Sequence, residues 1–155
     1  MQAELGAFDP AGIELDAMRS CGPMSASPTP RNRIIVVDDD PEAREAFAEF
    51  LRMRGFSVDD FDTAEKALDS MSTDLPAVVV MDINLSRGMM TGYDAARRIR
   101  ALPSAETVHL VAMSGHAAEV VEKEGALFDA ILTKPIDADA LVLTLQRVIA
   151  KDTRP

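Results

Sequence analysis

The feature that most restricts how this chain can fold is an alternation between short apolar runs and segments of helical periodicity. Ile34–Val37 and Ala77–Met81 are apolar throughout, which is typical of strands buried on both faces. Phe56–Phe61, Val108–Met113 and Ala130–Thr133 are predicted as three further strands. Apolar residues at helical spacing follow each strand. The alternation predicts a parallel sheet built from five strand–helix units and covered by helices on both faces.

The predicted helices carry characteristic residues at their ends. Asp40 and Pro41 are of the types that cap a helix and fill its first position, and Gly55 is of the type that follows a helix end. Thr63 and Asp137 precede the second and the last helix in the same capping position. These residues place the helix boundaries independently of the apolar pattern.

The two ends of the 155-residue chain differ from its middle. Residues 1–32 are interpreted as an N-terminal tail and linker, because glycine, proline and other small residues dominate from Gly22 to Pro30. A short helix around residues 10–20 is one interpretation of the tail, and a frayed terminus is the other. Residues 33–151 are predicted to form the domain, and residues 152–155 a C-terminal tail.

Charge and composition exclude several classes of partner. The formal net charge of −10 argues against nonspecific binding to nucleic acid and against an anionic membrane surface as a partner. Cys21 is the single cysteine, so no internal disulfide can form, which favours a reducing compartment. The sequence begins without a recognisable signal peptide and has no apolar run long enough to span a membrane. A soluble, cytoplasmic protein is expected.

Reactive side chains follow four of the predicted strands. Asp38 and Asp39 come after the first strand, Asp82 after the third, Ser114 after the fourth and Lys134 after the fifth. Each has an ordinary interpretation by itself, because aspartate runs often form solvated turns or caps, and single polar residues often lie in turns. Together they are more specific, since the carboxyl ends of parallel strands form the edge at which α/β sheets bind ligands.

Three neighbouring carboxylates predict a site for a hard cation. Asp38, Asp39 and Asp82 would repel one another, and a divalent ion would remove that penalty. Few protein ligands, room for several waters and space for a phosphate favour Mg²⁺. No histidine or cysteine lies at a spacing that would suggest zinc, and His116 is interpreted as a loop residue.

The same constellation fits phosphoryl transfer. An aspartate can act as a nucleophile and form an aspartyl phosphate, and Asp82 is the candidate. Lys134 would offset developing negative charge, and the Ser114 hydroxyl would donate to a phosphoryl oxygen. Little further catalytic apparatus is visible, which suits a protein that receives phosphate from a reactive donor.

Four segments resemble the motifs of two-component response regulator receiver domains, of which chemotaxis receivers are an example. They are Val36–Asp40, Met81–Leu85, Met113–Gly115 and Thr133–Ile136, and the resemblance covers about residues 33–150. It implies a flavodoxin-like, doubly wound α/β fold with a five-stranded parallel sheet in the order 2-1-3-4-5 and five flanking helices.

The resemblance also implies a separate role for each acidic residue in binding the metal and the phosphoryl group. Asp82 would be the phosphoacceptor and a ligand of Mg²⁺. Asp39 would bind the metal directly, Asp38 would hold a metal-bound water, and Asn84 would offer its backbone carbonyl. The donor would be a phosphohistidine on a sensor histidine kinase or a histidine phosphotransfer protein.

Further positions implied by the resemblance concern the readout of phosphorylation. Ser114 and Lys134 would sense the phosphoryl group, while Asn84 and His116 would tune a slow self-dephosphorylation, so that the chain is not expected to be an enzyme. A downstream protein would bind the last two helices and the fifth strand. Leu143 falls off the buried stripe of the last helix and supports that surface, although single exposed leucines are also common.

The sequence departs from the family pattern at two places. Members often carry an aromatic residue three positions before the lysine, where this chain has Ile131, so the aromatic half of the switch is in question. The loop after Asp82 has Ser86 in place of a frequent proline, and Arg87–Met90 make it a residue or two longer than usual.

Several functions remain open on the sequence alone. The leading hypothesis is a stand-alone receiver that signals by protein contact or relays its phosphoryl group, because no output domain follows the last predicted helix. The alternatives are a receiver-like interaction module that is not phosphorylated and a phosphatase that forms an aspartyl phosphate. A nucleotide-binding protein is disfavoured, because no glycine-rich phosphate loop follows the first strand.

Overall fold

The computed structural model describes residues 32–151, and these form an alternating α/β domain. Its elements are β1 (Arg33–Val37), α1 (Pro41–Met53), β2 (Ser57–Phe61), α2 (Ala64–Ser70), β3 (Val78–Asp82), α3 (Gly92–Arg100), β4 (His109–Ser114), α4 (Ala117–Glu124), β5 (Ala130–Thr133) and α5 (Ala138–Ala150). The helix predicted around residues 10–20 and the C-terminal tail lie outside the described residues.

The five strands form one parallel sheet in the order β2-β1-β3-β4-β5, which confirms the predicted flavodoxin-like topology. Helices α1 and α5 pack on one face, and helices α2, α3 and α4 cover the other. Alternate residues of β1 enter opposite cores: Ile35 and Val37 face one side, while Ile34 and Val36 face the other. Burial on both faces explains why the central strands are continuously apolar.

The predicted helix caps are present. The Asp40 carboxylate accepts a hydrogen bond from the backbone N–H of Glu42 at 3.1 Å, and the Asp137 carboxylate accepts from that of Asp139 at 2.8 Å. Thr63 caps α2 in the same way. Gly55 follows α1 with a φ of +94°, a left-handed conformation that glycine adopts without steric cost.

Two boundaries differ from the predictions in a way that bears on the site. Strands β3 and β4 extend one residue further than expected, so that Asp82 and Ser114 are the last residues of their strands. Their backbones therefore belong to the sheet: Ser114 is paired with the β5 residue Thr133, and its carbonyl oxygen accepts a hydrogen bond from the backbone N–H of Lys134 at 2.8 Å.

Within residues 32–151, no helix has the length and apolar character needed to cross a bilayer.

Candidate functional site

The carboxylates of Asp38, Asp39 and Asp82 meet at the carboxyl edge of the sheet. Strands β1 and β3 are neighbours, with Val37 paired to Met81, so the residues that end them are brought side by side. One oxygen from each of the three carboxylates lies within 4.8 Å of the others. Asp38 and Asp82 are buried and Asp39 is half-buried.

Both oxygens of the Asp82 carboxylate have partners. One accepts a hydrogen bond from the backbone N–H of Asn84 at 3.0 Å, and the other accepts from the Lys134 ammonium at 2.8 Å. Burial lowers the pKa of Lys134, but the hydrogen bond and the charge of Asp82 outweigh burial, and the pKa lies above its ordinary value. The lysine is therefore held as a cation against the carboxylate.

The electrostatics of Asp38 differ from those of its neighbour Asp39. Burial raises the pKa of Asp38, the backbone N–H of Asp40 opposes that effect, and repulsion from Asp82 adds to it, so the pKa lies above its ordinary value. Burial also raises the pKa of Asp39, but hydrogen bonds from Ser86 outweigh it, and the net shift is downward. A buried carboxylate that is costly to ionise and lies among others is a group that a bound cation would stabilise.

The donor set fits a hard divalent cation such as Mg²⁺. Three carboxylates converge, a single ammonium balances them, and all of their ligand atoms are oxygen. Asn84 directs its N–H toward Asp82 and is itself exposed at the start of the loop that follows β3. Asp38, Asp39 and Asp82 are the residues that would hold the ion.

Ser114 and Lys134 reach the same edge from β4 and β5. Ser114 is buried, its carbonyl oxygen accepts a hydrogen bond from the backbone N–H of Lys134 at 2.8 Å, and its hydroxyl oxygen accepts from the backbone N–H of His116 at 3.0 Å. His116 occupies the N-cap position of α4. Ile131, in the middle of β5, is half-buried and packs against the core cluster that includes α3 and α4.

An open cleft of about 330 Å³ lies beside the carboxylates. Asp38, Asp39 and Asp82 line one part of it together with Lys134. The other part has an apolar wall, which is formed by Ala43, Phe47, Pro135 and Ile136. The cleft thus leads from solvent to the acidic group, and its wall offers a surface to a nonpolar part of a partner.

Two groups around the site, one in α1 and one in the loop after β3, were missed by sequence reasoning. Arg44, one turn into α1, donates to the carbonyl oxygen of Asp38 at 2.9 Å and to the Asp60 carboxylate at 3.1 Å, which ties the loop after β1 to β2. Ser86 donates to the Asp39 carboxylate through both its backbone N–H and its hydroxyl. Neither contact has a sequence signal, because each joins segments whose distance depends on the complete fold.

The loop after β3 is attached to the rest of the domain, because Leu85 and Met90 are buried in the core. Glu65, in the first turn of α2, accepts hydrogen bonds from the backbone N–H groups of Met89 at 2.6 Å and Met90 at 3.1 Å. Gly88 stands beside that carboxylate with a φ of +84°. The extra residues of the loop are therefore anchored to α2.

Comparisons with known proteins identify the family. Residues 34–146 match the family model described as the response regulator receiver domain. The chain is also similar to the C4-dicarboxylate transport transcriptional regulatory protein DctD of Rhizobium meliloti, with 34% identity over 130 residues. That alignment covers 83% of this chain but only 26% of the longer protein.

Solved structures give the same result. A response regulator receiver domain described as CheY-like, from Methylobacillus flagellatus, is 35% identical with a TM-score of 0.68, and the alignment covers 76% of this chain and 98% of that one. The receiver domain of a sensor histidine kinase from Pseudomonas aeruginosa PAO1 is 25% identical with a TM-score of 0.69. That alignment covers 77% of this chain and 98% of the other, whose structure holds a magnesium ion coordinated in its active site cleft.

Proposed function

The chain belongs to the response regulator receiver family, and on that premise we propose that it accepts a phosphoryl group from a phosphohistidine donor onto Asp82. The observation that carries the proposal is the setting of the Asp82 carboxylate. It lies against the Lys134 ammonium at 2.8 Å and shares an acidic group with Asp38 and Asp39. Donors of this kind occur on sensor histidine kinases and histidine phosphotransfer proteins, which are the proposed partners.

In the proposed reaction, a carboxylate oxygen of Asp82 forms a bond to phosphorus while the bond from phosphorus to the donor imidazole nitrogen breaks. The bonding electron pair returns to that nitrogen. When bound, Mg²⁺ supplies positive charge that offsets the charge of the incoming group. Asp39, Asp82 and the backbone carbonyl of Asn84 are the proposed direct ligands, and Asp38 is proposed to hold a metal-bound water.

The remaining residues act on the product. Lys134 is positioned to pair with a phosphoryl oxygen, because its ammonium already lies against the acceptor carboxylate. The Ser114 hydroxyl, at the end of the neighbouring strand, is proposed to donate to another phosphoryl oxygen. Asn84 and His116 are proposed to tune a slow hydrolysis that resets the signal.

We propose that the signal leaves through α4, β5 and α5. The phosphoryl group carries about −1.5 to −2 charges in place of the single charge of the Asp82 carboxylate, and it adds new acceptor oxygens, which suffice to bias a two-state loop. Leu143 on α5 and Val121 on α4 are large apolar residues that are 60% and 62% exposed. Because Ile131 occupies the aromatic position, the Ser114 part of the switch would carry the readout. The partner is proposed to be a protein, which agrees with a net charge of −10 that disfavours nucleic acid.

The proposal is tested by incubating the full chain with Mg²⁺ and acetyl phosphate and measuring its intact mass. We expect the mass of one phosphoryl group to be added, and expect the addition to disappear with Asp82→Asn or with a chelator. Asp69→Asn, which alters an exposed carboxylate in α2, is the matched control and should be phosphorylated normally. No gain in the wild type, or a gain that survives Asp82→Asn, would contradict the proposal.

A further inference from the structure

Ser86 makes two hydrogen bonds to one oxygen of Asp39. Its backbone N–H donates to Oδ2 of Asp39 at 2.8 Å, and its hydroxyl donates to the same oxygen. The two residues are 47 positions apart in the chain and belong to the loops that follow β3 and β1. The pair therefore joins two loops of the acidic site across the sheet edge.

The other two carboxylates are held differently. Asp38 and Asp82 each accept a hydrogen bond from the backbone N–H two residues later, at 2.9 and 3.0 Å, so local turns fix their orientation. Asp39 is half-buried, and its side-chain hydrogen bonds come from Ser86. A half-buried carboxylate without such a partner can rotate about its side-chain torsions, so Ser86 is the group that orders it.

The loop that carries Ser86 is itself fixed at both sides of this residue. Leu85 is buried in the core, and Met90 is buried at the far end of the loop. Glu65 accepts hydrogen bonds from the N–H groups of Met89 and Met90. Ser86 therefore donates from an anchored position, and its two bonds fix Asp39 to the body of the domain.

We propose that Ser86 is a positioning residue for metal binding, which holds the Asp39 carboxylate in one orientation beside Asp38 and Asp82. The inference rests on the proposed function, since it assigns Ser86 a part in forming the Mg²⁺ site. Groups that hydrogen-bond a ligating carboxylate orient it and keep it deprotonated, and losing one such partner lowers metal affinity by about 10–100-fold. The two donors also offset part of the charge that the three carboxylates place together.

The test is the affinity of the full chain for Mg²⁺, measured by isothermal titration calorimetry in the absence of a phosphodonor. Ser86→Ala removes the hydroxyl and keeps the N–H, so we expect affinity to fall by about tenfold, the lower end of the range for an outer partner. Ser86→Thr keeps both donors and should restore affinity to within about twofold, and a thermal melt of each variant checks folding.

Ser72→Ala is the matched control. Ser72 is also exposed, and its hydroxyl donates to the carbonyl oxygen of Asp69 at 2.7 Å, in the segment that leads into the amino end of β3. Removing this hydroxyl deletes one hydrogen bond of an exposed serine without touching the acidic site. Its Mg²⁺ affinity should equal that of the wild type.

The outcomes separate this inference from the proposed function. A wild type that does not bind Mg²⁺ contradicts the proposed function and the inference with it. A wild type that binds Mg²⁺, together with Ser86→Ala of equal or higher affinity, overturns the inference alone. An unchanged affinity with a slower reaction toward acetyl phosphate at saturating Mg²⁺ would assign Ser86 to the phosphoryl step and also overturn it.

Discussion

The two edges of the sheet both carry aspartates, but the aspartates are neutralised to different degrees. At the carboxyl edge, Asp38, Asp39 and Asp82 share one ammonium, that of Lys134, so negative charge is in excess. At the amino edge, Asp129 immediately precedes β5 and is paired with Arg100 at 2.9 Å. Negative charges therefore lie together at the carboxyl edge, whereas at the amino edge Asp129 is balanced by Arg100.

The arginine that balances Asp129 also binds several backbone groups at the amino edge. Arg100, at the end of α3, donates to the carbonyl oxygen of Val108 at 2.8 Å and to that of Leu127 at 2.9 and 3.1 Å, in addition to Asp129. Asp129 in turn accepts from the backbone N–H of Leu110 at 2.8 Å. The guanidinium thus satisfies carbonyl groups that lie just before β4 and β5.

The contrast shows in the direction of the pKa shifts. Burial raises the pKa of both Asp38 and Asp129. At Asp129, the Leu110 N–H and the Arg100 guanidinium outweigh burial, and its pKa lies below the ordinary value. At Asp38 the neighbouring carboxylates add to burial, and its pKa lies above the ordinary value. Ionisation of Asp129 therefore stabilises the fold, whereas ionisation of Asp38 opposes it, a cost that a bound cation would offset.

Asp38→Asn should have the largest effect, because it should raise the stability of the metal-free protein and lower its affinity for Mg²⁺. The change removes a buried charge but keeps an acceptor for the Asp40 N–H, so the metal-free protein should gain stability. Mg²⁺ affinity should fall by about 10–100-fold, the range for a residue that acts on the metal through a bound water. Calorimetric titration and urea unfolding without Mg²⁺ measure the two effects. The control Asp69→Asn should change neither stability nor Mg²⁺ affinity. If metal-free Asp38→Asn is less stable than the wild type, the proposed difference between the two edges is wrong.

Arg100→Ala should lower the stability of the fold and leave Mg²⁺ affinity unchanged. It leaves Asp129 and two carbonyl groups without their strongest donor, and we expect a loss of about 2 kcal/mol in the free energy of unfolding. Mg²⁺ affinity and phosphorylation by acetyl phosphate should stay at wild-type values. Urea unfolding measures the first effect. Arg147→Ala, at an exposed position of α5, should stay within about 0.5 kcal/mol of the wild type, and a loss of metal affinity in Arg100→Ala would break the comparison.

The fold and the placement of the acidic group could be predicted from the sequence because both follow from short-range patterns. Apolar runs define strands, and the rule that parallel strands end at one edge brings Asp38, Asp39, Asp82, Ser114 and Lys134 together without any knowledge of loops. Strand order then explains why the Lys134 ammonium reaches Asp82. The alternation and the shared edge needed only periodicity and chain order, whereas the strand order was implied by the resemblance to receiver domains.

Contacts between loops and helix ends could not be predicted in the same way. Ser86 and Asp39 meet because two loops of particular length converge, and Glu65 reaches Met89 for the same reason. Arg100 lies on a helix rich in charged residues, where an arginine ordinarily indicates a solvated face. In each case the partner is set by tertiary geometry, which spacing along the chain does not record.

Gly92→Ala tests how closely the carboxyl edge is packed. A Cβ at Gly92, the first residue of α3, would lie 2.7 Å from the carbonyl oxygen of Asp82 and 2.7 Å from the Cα of Ile83. Both atoms are backbone, so α3 or the end of β3 must move, and we expect a loss of about 1–2 kcal/mol with slower phosphorylation. Gly115→Ala is the control, because a Cβ there meets nothing within 4 Å. Equal stability of the two variants would show that the edge yields easily.

The smallest effect concerns acid stability, measured by urea unfolding of the metal-free protein from pH 7 to pH 3. Because the folded pKa of Asp129 lies below its ordinary value of 3.8, its contribution is present above that value and is lost as pH falls through the folded pKa. Asp129→Asn should therefore make the decline in stability below about pH 4 shallower. Asp38 has the opposite sign, because its ionisation costs stability as pH rises from 3.8 through its raised pKa. Asp38→Asn should steepen the rise of stability with pH, and a change of the same sign in both variants would mean that the two edges do not differ electrostatically.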